Sequence, residues 1–441
     1  MIARLRHGTE GSLWRHRDFM KLWIGQSISE FGTPVSQIAI PWIAIKIIDA
    51  SAFEVAALTT VQFLPFLLFA LPAGVWVDRL QRRSVLIAGD AGRAVLLATI
   101  PVAYVYDVLT LAQLYVVSFL VGILTVFFDV AYQSYLPALV EREQLVEGNS
   151  KLQVSVSGAQ IAGPAMGGGL IQLLTAPYAV LADASSFVAS GAFTVAIRKR
   201  EVLPTRTTES PKLWGELKEG LLYVLKHPLL RPQAICTGTS NFFSNLVFAI
   251  LLVYAARHWH MSAGLVGLGF GIGSVGWMLG ALAAPRLQRA LGIGKTTLAM
   301  VPFFGLPWLL IPLAPTSLAL PSLIAAMVLG GFASVVYNIT QVSLRQAITP
   351  HRIQGRMNAV MRFFVWGTIP LGALVGGTLA SQIGLRATLF VGAFGGMLAI
   401  LPIALSPIPA LQEFPEPEEL QPAVVAGAAD APLPGTVHAD A

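Results

Sequence analysis

Asp129 to Leu170 reads DVAYQSYLPALVEREQLVEGNSKLQVSVSGAQIAGPAMGGGL, and Asn338 to Leu379 reads NITQVSLRQAITPHRIQGRMNAVMRFFVWGTIPLGALVGGTL. The two align without a gap at an offset of 209: Ser134, Asn149, Gly158, Gly163, Gly167, Gly168 and Leu170 meet Ser343, Asn358, Gly367, Gly372, Gly376, Gly377 and Leu379. Each half of the chain is thus built on one pattern, used twice in the same orientation. Parallel repeats of membrane helices are related by an axis along the membrane normal, with a path between them that rocking of one half can open. A simple pore needs no such duplication.

The composition around the repeat supplies the solvent. Of 441 residues 55% are hydrophobic and 12% charged, against ~25% charged in an ordinary soluble domain, and mean hydropathy is +0.68. A soluble enzyme, a disordered regulator and a secreted disulfide scaffold are excluded; the lone Cys236 has no partner and sits in an apolar run. Apolar runs at 18–48, 53–77, 84–106, 109–136, 151–175 and 178–197 form one set of six, and runs at 230–256, 262–285, 295–314, 317–344, 357–383 and 386–406 a second. At ~22 residues per span, these predict an all-α integral membrane fold of twelve transmembrane helices in two six-helix bundles. The expected divisions are an N-terminal tail (1–17), a first bundle (18–197), a central loop (198–229), a second bundle (230–406) and a disordered tail (407–441). Leu213 to Leu225 is amphipathic and is expected on the membrane surface.

The net charge of +6 and pI of 9.5 reflect topology rather than nucleic-acid binding, because the basic residues form no continuous face. Alternate loops and termini hold 24 Lys and Arg, whereas the opposite set holds only Lys46, Arg257 and Arg386. The positive-inside rule therefore places both termini in the cytoplasm, with the first helix retained as the insertion signal. A cell-membrane, multi-pass protein working as a monomer is expected.

Following the second apolar run stands Gly74-Val-Trp-Val-Asp78-Arg79-Leu-Gln-Arg82-Arg83. Glycine allows close helix approach, the aspartate can cap a neighbouring helix, and the arginines can pair with carboxylates or lipid phosphates. In the fifth run Gly163-Pro164-Ala-Met-Gly167-Gly168 combines a proline bend with a glycine packing face. With these motifs the chain resembles the major facilitator superfamily, whose signature G-x-x-x-D-R-x-G-R-R is matched at Gly74, Asp78, Arg79, Arg82 and Arg83, with Gln81 in place of the inner glycine. Gly163, Pro164, Gly167 and Gly168 resemble the core of that superfamily's antiporter motif, with Ala159 at its upstream glycine. Phe128 to Ser150 is similar to the branch containing macrolide-efflux proteins and enterobactin-type exporters. The resemblance implies a secondary transporter exporting an amphiphilic small molecule by alternating access, and a cytoplasmic latch in which Asp78 holds the eleventh helix near Gly355 or Arg356. A solute importer or uniporter of the same fold, and a non-transporting membrane sensor, remain the rival readings.

Ionisable groups inside a membrane are costly and ask for a role. No Asp or Glu occurs from Gly220 to Gln412, so any proton-carrying carboxylate belongs to the first half. Glu30 lies about 18 Å into the first helix, with Gln26, Thr33 and Gln37 on its face. Asp129 occupies the fourth helix, and its repeat mate is the amide Asn338. Both are candidates for coupling or substrate contact, or else buried acids that hold helices together. Asp90 with Arg93 reads as a structural pair near the cytoplasmic end of the third helix, and Asp183 as a cap or packing contact near the outer end of the sixth. Asn241 and Asn245, Asn338 and Gln341, and Arg362 are the second-half polar candidates; Arg362 either attracts an anionic group or snorkels. Phe242, Phe243, Phe303, Phe304, Trp308, Phe363, Phe364 and Trp366 could line an apolar cavity. No metal site, cofactor or enzymatic constellation is expected: the histidines lack carboxylate or Cys neighbours, no Walker A run is present, and Gly271, Gly273 and Gly276 read as a glycine packing face. A proton gradient is the expected energy source.

Overall fold

A computed structural model describes residues 13–77, 80–141, 144–199 and 213–415. Apart from short 3-10 turns, every element among the described residues is an α-helix. The first half holds α1 (Arg17–Lys46), α2 (Ala52–Val77), α3 (Arg82–Val105), α4 (Leu111–Leu139), α5 (Leu145–Leu174) and α6 (Ala176–Val195). After α7 (Leu213–Lys226) come α8 (Leu230–Arg257), α9 (Ala263–Gly273), α10 (Val275–Leu291), α11 (Ile293–Met300), α12 (Leu310–Leu313), α13 (Ala319–Ile348), α14 (His351–Ile383), α15 (Leu385–Met397) and α16 (Ile400–Ala404).

Local chemistry sets many of these boundaries. Ser51 and Glu54 form a reciprocal capping box before α2, with Ser51 N–H donating to Glu54 Oε2 at 2.7 Å. Thr110 caps α4 and Ser262 caps α9 by accepting the amides of Gln113 and Leu265. The run expected at 295–314 is an interrupted helix: α11 gives way to 3-10 turns at Val301–Phe304 and Leu306–Leu309 before α12. Pro302 and Pro307 lack the amide that an α-helix needs, and Gly305 lets α15 approach closely. α9 and α10 part at Ser274, whose hydroxyl donates to Gly271 O at 2.6 Å.

Ten spans among the described residues are long and apolar enough to cross a membrane, counting α9 with α10, α11 with α12 and α15 with α16. α1 and α5, 30 residues each, are outside that set. Their length suffices; Gln26, Ser29, Glu30, Thr33 and Ser36 on α1, and Asn149 through Gln160 on α5, dilute their apolar character. α1 packs on α5 and α6, and its Gln26, Ser29 and Ser36 are buried.

Helix pairings repeat between the halves. α1 packs on α5 and α6 as α8 packs on α14 and α15, and α2 packs on α4 as α10 packs on α13. The glycines of the repeated segment carry this to single residues. A Cβ on Gly163 would fall 2.6 Å from Pro34, and one on its mate Gly372 3.1 Å from Asn245; likewise Gly167 abuts Val35, and Gly376 abuts Leu246. Both relations set α1 against α8 at an offset of 211. The helix starts agree: His16 Nδ1 accepts the Phe19 amide, and His227 Nδ1 the amides of Leu229 and Leu230.

One expectation needs correction. Residues 408–415 are not disordered: Ile293 and Gly294 N–H at the start of α11 donate to Gln412 O and Leu411 O at 3.2 and 2.9 Å. Helix-start amides need acceptors, and the chain after α16 supplies them; residues 416–441 lie outside the described residues. α7, the amphipathic segment, also packs on protein. Its Gly220, Tyr223 and Val224 pack onto the second half, Tyr223 OH donating to Ile348 O, while Leu221, Leu222 and Leu225 are exposed on its other side.

Candidate functional site

In the first half three aspartates act on one buried cation. Arg93, about 16 Å into α3, is buried with its guanidinium 4.1 Å from the ring centres of both Phe128 on α4 and Phe187 on α6. Its Nη2 donates to Asp90 Oδ1 at 2.6 Å and its Nε to Gly89 O at 3.3 Å. Asp129 on α4 and Asp183 on α6 add to the field at Arg93, and Glu30 on α1 to that at Asp129. Aromatic faces and carboxylates thus replace water around the guanidinium.

Elements from four helices build this arrangement. Gly32, without a side chain, lets α1 approach Ser186 and Asp183 of α6, and Ser186 Oγ donates to Asp183 Oδ1 at 3.3 Å. Glu30 is half-buried and accepts from Gln26 Nε2 at 2.9 Å, while Gln37, further along α1, is exposed. Asp129 is also half-buried; its neighbours on α4 do not bond it, since Thr125 donates to Val121 O and Gln133 is exposed.

The structural readings of Asp90, Arg93 and Asp183 hold, and the structure adds their partners. Asp90 forms the expected pair with Arg93 and is fully buried, and Asp183 is a packing contact buried within the cluster. The signal was present: an Asp and an Arg one turn apart, well inside an apolar run, require internal partners. Which helices would supply Phe128, Phe187 and Asp183 was not readable from spacing.

Uncharged groups occupy the matching places in the second half. At the offset of 211, Asn241 is the mate of Glu30, and at 209 Asn338 is the mate of Asp129. Asn241 donates to Thr237 O, Asn245 to Asn241 O, and buried Gln341 to Asn338 Oδ1, at 2.9, 2.8 and 3.0 Å. The structure therefore joins Asn241 with Asn245 and Asn338 with Gln341, and places Asn338 at an exposed position. The Arg362 and Trp366 side chains lie outside the described residues. Of the aromatics, Phe304 and Trp308 are core residues rather than cavity lining: Phe304 meets Tyr337 edge-on at 5.0 Å, and Trp308 meets Phe248 at 4.9 Å. Phe363 is exposed.

Asp78 and Arg79 lie outside the described residues, as does any latch they form. Gly74 falls within α2, Arg82 opens α3, and Arg83 ties α3 to the end of α6 by donating to Thr194 O and Val195 O at 3.2 and 2.6 Å. Arg356 on α14 pairs with Glu219 on α7. The Gly163 motif sits where the halves meet: the carbonyl of Pro164 lies against Gly267, and Gly168 against Ala263 of α9. Its bare backbone permits this approach.

Contacts between the halves gather at the end that carries Asp49 and Arg257. α5 packs on α9 rather than α10, and α2 on α14, where Gly377 meets Phe53 and Ala56, and Thr60 Oγ1 donates to Pro370 O at 3.2 Å.

Residues 11–428 match the family model of transmembrane secretion effectors. The chain belongs to that family, a branch of the major facilitator superfamily of transporters. It is 27% identical over 378 residues to the multidrug efflux pump Tap of Mycolicibacterium fortuitum, covering 81% of this chain and 88% of that protein. It is 23% identical over 391 residues to the enterobactin exporter EntS of Salmonella typhimurium, covering 88% and 92%. Its fold superposes on a bacterial homologue of the iron transporter ferroportin in the inward-facing state with a TM-score of 0.70 at 17% identity, covering 89% of this chain and 99% of the other.

Proposed function

We propose that this transporter is a proton-coupled exporter of an amphiphilic small molecule, moved by alternating access between two six-helix bundles of a twelve-helix fold. Both termini are cytoplasmic in this reading, and the protein acts as a monomer in the cell membrane without a cofactor. The halves meet at the Asp49 and Arg257 end, which this reading places on the outer side.

The observation that carries the reading is chemical asymmetry between matched positions. Glu30 and Asp129 stand in one half where Asn241 and Asn338 stand in the other, and a single buried Arg93 is shared among Asp90, Asp129 and Asp183. A carboxylate of such a set can take or release a proton while the cation keeps a partner. The amides offer donors and acceptors to a cargo without binding the proton themselves. The names of the relatives, a multidrug efflux pump and an enterobactin exporter, support an amphiphilic cargo moved outward.

The test is accumulation of amphiphilic antibiotics, dyes and siderophore-like compounds in efflux-deficient cells carrying the protein, with and without a protonophore. Lower accumulation that the protonophore abolishes is expected. Lower accumulation that survives the protonophore removes proton coupling; raised accumulation favours an importer; no change for any compound favours the sensor.

A further inference from the structure

Lys46 and Arg257 are the last residues of α1 and α8 and are mates at the offset of 211. The turns that follow them are alike bond for bond. Ile47, Ile48 and Ala50 N–H donate to Ile43 O, Ile43 O and Ala44 O; His258, Trp259 and Met261 N–H donate to Tyr254 O, Tyr254 O and Ala255 O. Asp49 and His260, again mates, both take the left-handed conformation, at φ 56° and 51°. Each turn delivers its cation to the other half. Lys46 Nζ donates to Ala256 O at 3.3 Å, and Arg257 Nη2 donates to Ala50 O at 2.7 Å.

The physical basis is the partial negative charge on carbonyls at a helix C-terminus, which a cation satisfies. Lys46 finds such a carbonyl in Ala256, in the last turn of α8, while Arg257 takes the carbonyl of Ala50 in the turn after α1. Arg257 also pairs with Asp49 Oδ1 at 2.8 Å, but the Asp49 side chain is 91% exposed, where an ion pair holds little. Ala50 and Ala256 are buried, so the bonds to their carbonyls are the better shielded. Lys46 and Arg257 are also two of the three basic residues that the Lys and Arg census assigns to the outer face.

We propose that Lys46 and Arg257 form a reciprocal latch that holds this end closed, and that releasing both bonds is a step in opening the transporter to the outside. The proposal rests on the alternating-access reading above, but its test reads conformation and needs no cargo. Ala56 is fully buried beneath Gly377, and the single native cysteine, Cys236, is fully buried. An Ala56→Cys reporter in the full chain, reconstituted in vesicles, is therefore labelled by a membrane-impermeant maleimide only when the outer end opens.

Combining Lys46→Met with Arg257→Met should raise the labelling rate about tenfold, the effect of a loss near 1.4 kcal/mol. Lys46→Arg with Arg257→Lys should restore the parent rate, which a mere packing defect would not do. Asp49→Asn should leave the rate within about twofold. An unchanged rate in the double methionine variant, in protein that elutes as a single species, overturns the latch; so does an Asp49→Asn rate equal to that of the double variant. Faster labelling without export of any compound supports the latch and counts against the export reading alone.

Discussion

Gly168 and Gly377 are mates in the repeat, and each presses its bare backbone against the opposite half: Gly168 against Ala263 of α9, Gly377 against Ala56 of α2, where a Cβ would fall 2.6 Å from the alanine methyl. One glycine position thus builds both seams between the halves.

Filling either seam should be costly. Gly168→Val or Gly377→Val forces helices apart, a change worth about 1–3 kcal/mol, and should lower Tm in detergent together with efflux. Gly169→Ala is the control, because nothing lies within 4 Å of a Cβ there. Its Tm should equal or exceed that of the parent, by the ~0.5–1 kcal/mol preference of alanine in a helix.

Asp129→Asn and Glu30→Gln keep size and hydrogen-bonding capacity while removing the titratable group. Each should abolish protonophore-sensitive efflux with little change in Tm. Full efflux in both variants would rule these carboxylates out as proton carriers.

Arg93→Met should be among the most destabilising single changes, because it strands the buried Asp90 carboxylate. Loss of one partner of a buried pair costs about 3–5 kcal/mol. Adding Asp90→Asn should recover much of that loss, so thermal melts of the two single variants and the double variant should show strong coupling.

His227 precedes α8 and caps it as a neutral imidazole, and burial pushes its pKa down from 6.5 to about 4. Because the folded state binds this proton less readily than the unfolded chain, the stabilisation is full above about 6.5, falls as pH drops from there toward 4, and is lost below. His227→Asn keeps a capping oxygen without the titration. Melts from pH 7.5 to 4.5 should show a shallower acid-side decline in the variant than in the parent; parallel curves would exclude His227 as a source of acid sensitivity.

Hydropathy, the 209-residue offset and the Gly74 to Arg83 motif are legible in the sequence because each depends on local chemistry: lipid demands long apolar runs, and close helix packing demands glycine at fixed intervals. Glu30 and Asp129 could be singled out as acids within apolar runs for the same reason. The matching of α1 to α8 was not, because those helices share few residues, and only packing of Gly163 and Gly372 on them reveals that Glu30 answers to Asn241. Nor could sequence join Arg93 to Phe128, Phe187 and Asp183, or Lys46 to Ala256. Those partners lie on other helices, and which side chain meets which depends on helix rotation and approach, quantities that apolar periodicity leaves free and close packing decides.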